Sequence, residues 1–93
     1  MNLNVYCVFD KAVGTYERPQ FFRSDAEALR AWHSAVQKED QPFNMHPQDY
    51  AFFRIGTYDD QKGLLRPEEP TCLSRAHEFL AAFDGNGSAG GTE

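Results

Sequence analysis

The sequence predicts an α+β domain in which an antiparallel sheet of about four strands carries helices on one face. Three observations predict this fold. Segments of alternating apolar and polar residues indicate strands. Two turns of the form Asp-x-x-x-Gly indicate hairpins, and a serine-led segment typical of a helix follows each of them. The predicted order is therefore hairpin, helix, hairpin, helix.

The first hairpin joins an alternating strand, residues 3–9, to a return strand, residues 15–22. One face of the first strand is formed by its odd-numbered residues, Leu3, Val5, Cys7 and Phe9. Tyr6 and Val8 point to the other face. Pro19 cannot donate to a strand ladder, so the return strand is expected at the edge of the sheet.

The first helix begins at Ser24, which forms a capping box with Glu27. The helical pattern continues to about Lys38. An apolar stripe on this helix is formed by Leu29, Trp32 and Val36. Residues 39–49 form a connector rich in helix-breaking residues. Within it, Phe43 and Met45 are expected to anchor the chain to the core.

The second hairpin starts with the most strand-like run of the chain, residues 50–58. Simple alternation places one set of side chains on the same face, namely Tyr50, Phe52, Arg54, Gly56 and Tyr58. The strand returns over residues 64–66, prolines interrupt it, and residues 71–73 resume as an edge strand. A second helix is predicted from Ser74. The domain is expected to span residues 1–83, and the Gly/Ser-rich residues 84–93 to form a disordered tail.

Composition argues against several classes of function. The net charge of −5 gives no general attraction to phosphate backbones. The histidines lack the spacing of a metal site, and the paired carboxylates fall in turns, where solvent prevents the burial that a catalytic acid needs. We therefore expect a protein without catalytic activity and without a metal or another cofactor. No apolar run is long enough to span a membrane, and no signal peptide is evident.

The remaining feature is an aromatic surface on the strands. If the helices cover the opposite face of the sheet, then Tyr6, Phe52, Arg54 and Tyr58 face outward, where they could stack on or clamp nucleic-acid bases. Phosphate contacts could come from the basic residues in and after the first hairpin, Lys11, Arg18 and Arg23. Two alternatives stay open, because the same rings could form a homodimer interface or the protein core.

Four segments of the chain, in this order, resemble a known family: residues 8–16, 22–28, 46–59 and the turn at Gly63. Val8-Phe9-Asp10-Lys11 begins the first segment, and His46-Pro47-Gln48-Asp49-Tyr50 begins the third. With these motifs the chain is similar to the small nonstructural protein of gokushovirus-type microviruses, which are single-stranded DNA phages. The similarity covers about residues 3–80.

The resemblance implies a phage-encoded protein of the host bacterial cytoplasm, associated with the synthesis or packaging of single-stranded DNA. It implies no catalytic residues. The expected partners are single-stranded DNA and a second copy of the chain. The alternative is an adaptor that binds a host or phage replication factor, a role that an acidic surface suits when the partner is basic.

Overall fold

In the computed structural model, which describes residues 1–82, five strands form one antiparallel sheet. The strands are β1 (Asn2–Asp10), β2 (Thr15–Tyr16), β3 (Gln20–Phe22), β4 (Tyr50–Asp59) and β5 (Leu64–Arg75). Strand β1 pairs with β2 and β3 along one side and with β4 along the other, and β5 pairs with β4. The predicted α+β class with an antiparallel sheet is confirmed.

The first hairpin forms where the Asp-x-x-x-Gly pattern predicts it. The Asp10 carboxylate accepts the Ala12 backbone N–H at 3.0 Å, and Gly14 adopts a φ of 82°, which its missing Cβ makes inexpensive. Pro19 divides the predicted return strand into β2 and β3. Both lie on the outer side of β1, so the expected edge position is confirmed.

Helix α1 (Asp25–Gln37) begins at the predicted N-cap. Ser24 Oγ accepts the Glu27 backbone N–H at 3.2 Å. The Glu27 carboxylate reaches back one residue further than a standard capping box and accepts the Arg23 N–H at 2.9 Å. These bonds satisfy backbone donors at the helix start and fix the path of the chain from β3 into α1.

The connector contains a short helix, α2 (Pro42–Met45), and a 3₁₀ turn, Pro47–Asp49. Phe43 anchors it as expected, with its ring 5.1 Å from that of Trp32 and 4.9 Å from that of Tyr50. The same expectation for Met45 is wrong, because its side chain is 59% exposed.

Strand β5 runs without a break through both prolines, which an edge strand tolerates. The final described helix, α3, covers residues 76–82, so it begins two residues after the predicted start at Ser74. Ser74 instead lies in β5 opposite Phe52, and its Oγ accepts the Trp32 indole N–H at 3.0 Å. The predicted domain end at residue 83 and the predicted tail lie outside the described residues.

A stack of three rings forms the centre of the core between α1 and the sheet. Phe52 lies 5.3 Å from Tyr6 and 5.2 Å from Trp32, and neighbouring rings are within 9° of parallel. Smaller buried side chains surround the stack: Val8, Ala28, Val36 and Ala76. Full burial of each large apolar side chain contributes about 1.5–3 kcal/mol, so this stack is a major reason why α1 stays on the sheet.

Candidate functional site

The face of the sheet that carries Tyr6 and Phe52 is covered by helix α1. Tyr6 is 0% exposed and Phe52 is 2% exposed. The expectation that these two rings face outward is therefore wrong, and the alternative that they belong to the core is correct. A ring enclosed between a helix and a sheet has no free face on which a base could stack.

Arg54 lies beside this core and is held by two carboxylates. Its Nη1 donates to Asp25 Oδ2 at 2.5 Å, and its Nε lies 3.5 Å from Glu68 Oε1. The other oxygen of Asp25 accepts the Tyr6 hydroxyl at 2.6 Å. Arg54 therefore links α1, β4 and β5, and its positive charge is balanced within the protein rather than offered to a phosphate.

The bond from the Tyr6 hydroxyl, together with the bond and charge of Arg54, holds the pKa of the Asp25 carboxyl below its ordinary value, although partial burial acts in the opposite direction. Burial, followed by the bond to Asp25, raises the pKa of Tyr6 to about 12. Both shifts favour the state in which Asp25 is ionised and Tyr6 keeps its proton. The network is a fixed ionic link at neutral pH.

Tyr58 lies on the opposite face from Phe52 because a bulge interrupts β4. Val5 pairs with Gly56 and Tyr6 pairs with Arg54, so Ile55 is an extra residue on β4. The extra residue reverses the alternation beyond it, since successive side chains in a strand point to opposite faces. Tyr58 consequently contacts Phe21 edge-on, at a ring separation of 5.5 Å.

The face of the sheet opposite α1, called the open face below, carries a second aromatic group. Three rings form an aromatic cluster: Phe9 of β1, Tyr16 of β2 and Phe53 of β4. Tyr16 lies 4.8 Å from Phe9 and 5.6 Å from Phe53, and Phe9 lies 6.4 Å from Phe53. Tyr16 is 45% exposed, and the other two rings are half-buried. None of the three belongs to the core that packs against α1.

A hollow of about 280 Å³ lies beside the aromatic cluster. Its lining includes two rings of the cluster, Phe9 and Phe53, and it brings Lys11, Arg75 and His77 to the same place. We call it the charged hollow. The connector closes one side through Gln48 and Asp49, and the Asp49 carbonyl accepts the Lys11 backbone N–H at 2.7 Å. Aromatic rings and basic side chains therefore converge at this end of the open face.

Lys11, Arg18 and Arg23 are exposed, as the sequence predicts. They lie along the β1–β3 edge, in the hairpin turn, between β2 and β3, and between β3 and α1. Lys11 lines the charged hollow, whereas Arg18 and Arg23 do not. Within residues 1–82, none of the three takes part in an ion pair.

A second hollow, of about 210 Å³, lies nearer the Val5 end of the open face. Its lining is dominated by apolar side chains: Val5, Pro19, Phe21, Ile55, Leu65 and Pro67. We call it the apolar hollow. Phe21 and Leu65 are 45% and 64% exposed, so apolar surface continues outside the hollow. The open face thus has two chemically different ends.

Sequence reasoning missed Phe9, Tyr16, Phe53 and Arg75 as members of a surface site. Phe9 and Phe53 were each placed correctly on the face opposite Tyr6 and Phe52, but that face was expected to meet the helices. The ion pair between Arg54 and Asp25, in the first turn of α1, identifies the covered face of the sheet, because the two side chains can pair only if α1 lies on the Tyr6 side.

Among residues 1–82, no group of three or more His, Cys, Asp or Glu could hold a metal ion. No helix in the same range is long and apolar enough to cross a membrane.

Comparison with known proteins identifies the family. The sequence model of a family described as "Phage ORF5 protein" matches residues 3–79. This range contains all of the sheet except Asn2, all of α1 and α2, and the first four residues of α3. No curated protein and no solved structure gives a match. Since the match covers most of the chain, this bacteriophage protein belongs to the Phage ORF5 protein family.

Proposed function

We propose that this protein is a nonstructural, non-enzymatic phage protein that binds single-stranded DNA on the open face of its sheet. Its place of action is the cytoplasm of the host bacterium, during synthesis or packaging of a single-stranded genome. One observation carries the proposal: the aromatic cluster Phe9–Tyr16–Phe53 lies directly beside the basic side chains of the charged hollow. The resemblance to the microvirus nonstructural protein favours single-stranded DNA as the ligand.

The aromatic cluster supplies the stacking component. Tyr16 is partly exposed at the sheet edge, and Phe9 and Phe53 are half-buried, so their rings are fixed by the sheet but retain exposed surface. A base stacked on such a ring contributes about 1–3 kcal/mol. Stacking of this kind requires unpaired bases, since the bases of a duplex are stacked on each other. Single-stranded DNA is therefore expected to bind more tightly than duplex DNA.

The electrostatic component is local. Lys11 and Arg75 line the charged hollow and could contact the phosphates that flank a stacked base. Arg18 and Arg23 extend the basic edge towards β3. These side chains act against a net charge of −5, which predicts modest affinity and a salt dependence set by a few phosphate contacts.

A salt-dependent titration tests the proposal. A fluorescent single-stranded oligonucleotide is titrated with protein at about 50 mM and about 200 mM salt, with the matching duplex measured in parallel. We expect binding to single strands that weakens with salt, and Tyr16→Ala to weaken it about five- to hundredfold. Absence of binding at the lower salt, with protein at tens of micromolar, would reject direct DNA binding.

A pair of arginine substitutions provides the matched control. Arg75→Ala removes a positive charge from the charged hollow, and Arg30→Ala removes an equal charge from the exposed side of α1. Only Arg75→Ala should reduce the slope of the logarithm of the binding constant against the logarithm of salt concentration. The slope should fall by about 0.7 for one lost phosphate contact to single-stranded DNA. Equal effects of both substitutions would mean that overall charge, rather than the charged hollow, controls binding.

A second candidate function is an adaptor for a basic replication protein. It is favoured by the acidic composition and by three carboxylates around Tyr50, those of Asp10, Glu17 and Asp49, whose charges help to raise the pKa of Tyr50 after burial. A pull-down from infected cells in which one replication protein is retained, combined with no oligonucleotide binding, would favour this candidate. Retention should then fall with rising salt.

A further inference from the structure

One acidic residue lines the charged hollow. Asp49 lies there together with Lys11 and Arg75 and is half-buried. Within residues 1–82 its carboxylate takes part in no hydrogen bond and no ion pair. A carboxylate that has lost part of its hydration is stabilised by accepting hydrogen bonds, so a ligand with N–H donors is favoured beside it.

The position of Asp49 is fixed by backbone hydrogen bonds on both sides. Its N–H donates to the His46 carbonyl at 3.0 Å, and its carbonyl accepts the Lys11 N–H at 2.7 Å. Asp49 ends the 3₁₀ turn Pro47–Asp49 and directly precedes β4. A polar group on a backbone held in this way suits the recognition of one particular chemical group, because little order is lost when the ligand binds.

The carboxylate restricts which part of a DNA strand can lie next to it. If single-stranded DNA binds in the charged hollow, as proposed above, a phosphate beside Asp49 is repelled, whereas a base that offers N–H donors is attracted. The hollow of about 280 Å³ is the size of a site for one small ligand group. Its rings, its basic side chains and Asp49 can therefore contact the same nucleotide.

The hydrogen-bonding pattern of a carboxylate distinguishes among the DNA bases. An ionised carboxylate only accepts hydrogen bonds, and it accepts two in parallel. Guanine presents two neighbouring donors, N1–H and N2–H, on its Watson–Crick edge. Adenine and cytosine each place an acceptor nitrogen beside the amino group, and thymine places a carbonyl on each side of its one N–H. These edges are free for recognition when the strand is unpaired.

We propose that Asp49 makes the charged hollow selective for guanine, an inference that rests on the proposed binding of single-stranded DNA. The guanine ring stacks on the exposed surface of Phe9 and Phe53, and its N1–H and N2–H donate to the Asp49 carboxylate. Lys11 and Arg75 contact the phosphates on either side. Asp49 is then the specificity-determining residue, while the rings and the basic side chains supply affinity for any unpaired strand.

Fluorescence anisotropy with substituted oligonucleotides tests this selectivity. The probes are thymidine strands of about eight nucleotides in which one central base is guanine, adenine, cytosine or hypoxanthine. The guanine strand should bind about five- to hundredfold more tightly than the adenine or cytosine strand. Hypoxanthine lacks the N2 amino group but keeps N1–H, so its strand should show only part of this gain.

Asp49→Asn tests whether this residue makes the selection. The amide offers one acceptor and one donor, which matches the edge of adenine or cytosine, so the preference should change from guanine to these bases. Asp40→Asn is the matched control, because it removes the same charge from an exposed connector position outside the hollow. This control should keep the guanine preference. Because backbone bonds hold Asp49, both variants should keep the wild-type circular dichroism spectrum.

The outcomes separate this proposal from the DNA binding on which it rests. Binding with equal affinity for the guanine, adenine and cytosine strands would overturn the guanine selectivity and leave the DNA binding intact. A guanine preference that persists in a folded Asp49→Asn protein would also overturn it, since another group would then recognise the base. Absence of binding to every strand would reject the proposed function itself, and the selectivity with it.

Discussion

At the scale of single residues, Asp25 is a point at which side chains from two different strands converge. It is the first residue of α1, accepts the Tyr6 hydroxyl from β1 and pairs with Arg54 of β4. A carboxylate in the first turn of a helix also complements the helix dipole. Asp25 therefore links the start of α1 to the two central strands.

The first prediction concerns the pH dependence of this link. Because the pKa of folded Asp25 lies below the ordinary value of 3.8, its contribution to stability is present above that value and is lost as the pH falls through the lower folded value. Asp25→Asn should lower the free energy of unfolding at pH 7 by about 1–2 kcal/mol. The expected loss is smaller than for a buried ion pair, because the Asp25 side chain is 38% exposed and solvent screens its charge.

Urea unfolding at pH 7 and near pH 3 provides the measurement. The difference in stability between the wild type and Asp25→Asn should shrink at the lower pH, because below the ordinary carboxyl pKa of 3.8 the protonation of Asp25 favours the unfolded state. Glu39→Gln, which neutralises an exposed carboxylate after α1, is the control and should change stability little at either pH. An Asp25→Asn variant as stable as the wild type at pH 7 would show that the link contributes nothing.

At the scale of elements, the bulge in β4 determines which side chains share a face. Ile55 is the extra residue, and Gly56 follows it opposite Pro67 of β5. A Cβ built on Gly56 would collide with the Arg66 carbonyl oxygen. Glycine is therefore required here for the close approach of β5, rather than for a positive φ, which Gly56 does not have.

The second prediction follows from this contact. Gly56→Ala should reduce the free energy of unfolding by about 1–3 kcal/mol, since backbone atoms must move to admit the methyl group. Gly63→Ala provides the comparison: it has open space around it but a φ of 68°, so its cost, about 1–2 kcal/mol, is conformational only. A Gly56→Ala protein with wild-type stability in thermal and urea unfolding would contradict the described pairing of β4 with β5.

Some features of these elements were predictable from the sequence alone, and others were not. The start of α1 was predictable because Ser24 and Glu27 make local contacts that the spacing specifies. Strand β4 was predictable from its residue types, but its bulge was not, because the extra residue is defined only by its pairing with β1. Tyr58 was assigned to the wrong face for that reason. The covered face was not predictable either, since both faces of β1 carry apolar side chains.

At the scale of the whole molecule, the sheet divides the aromatic residues into two groups with different roles. Tyr6, Phe52 and Trp32 stabilise the core, and Phe9, Tyr16 and Phe53 form the cluster on the open face. The sequence indicated aromatic strands as the candidate functional feature, but it could not show which rings were accessible. Four of the seven predicted site residues, Lys11, Arg18, Arg23 and Tyr58, retain a place on the exposed edge or the open face.

Because the molecule is acidic overall, the location of its lysines and arginines matters more for the proposed DNA binding than their number. Nine lysines and arginines face fourteen acidic residues, and Arg54 is already paired within the fold. Arg75 makes only a loose, exposed ion pair, with its Nε 3.9 Å from Glu78 Oε2. In the proposed complex, affinity for DNA would depend on Lys11 and Arg75 next to the aromatic cluster. In this proposal the open face, and no other surface, binds DNA.

The most direct test of this central claim is to map the binding surface by nuclear magnetic resonance. Backbone amide spectra are recorded while a single-stranded oligonucleotide is added to the full-length protein. The account predicts that the largest shifts occur at the charged end of the open face, around Lys11, Tyr16, Phe53 and Arg75. Largest shifts along α1 (Asp25–Gln37), or no shifts in the presence of excess oligonucleotide, would contradict it.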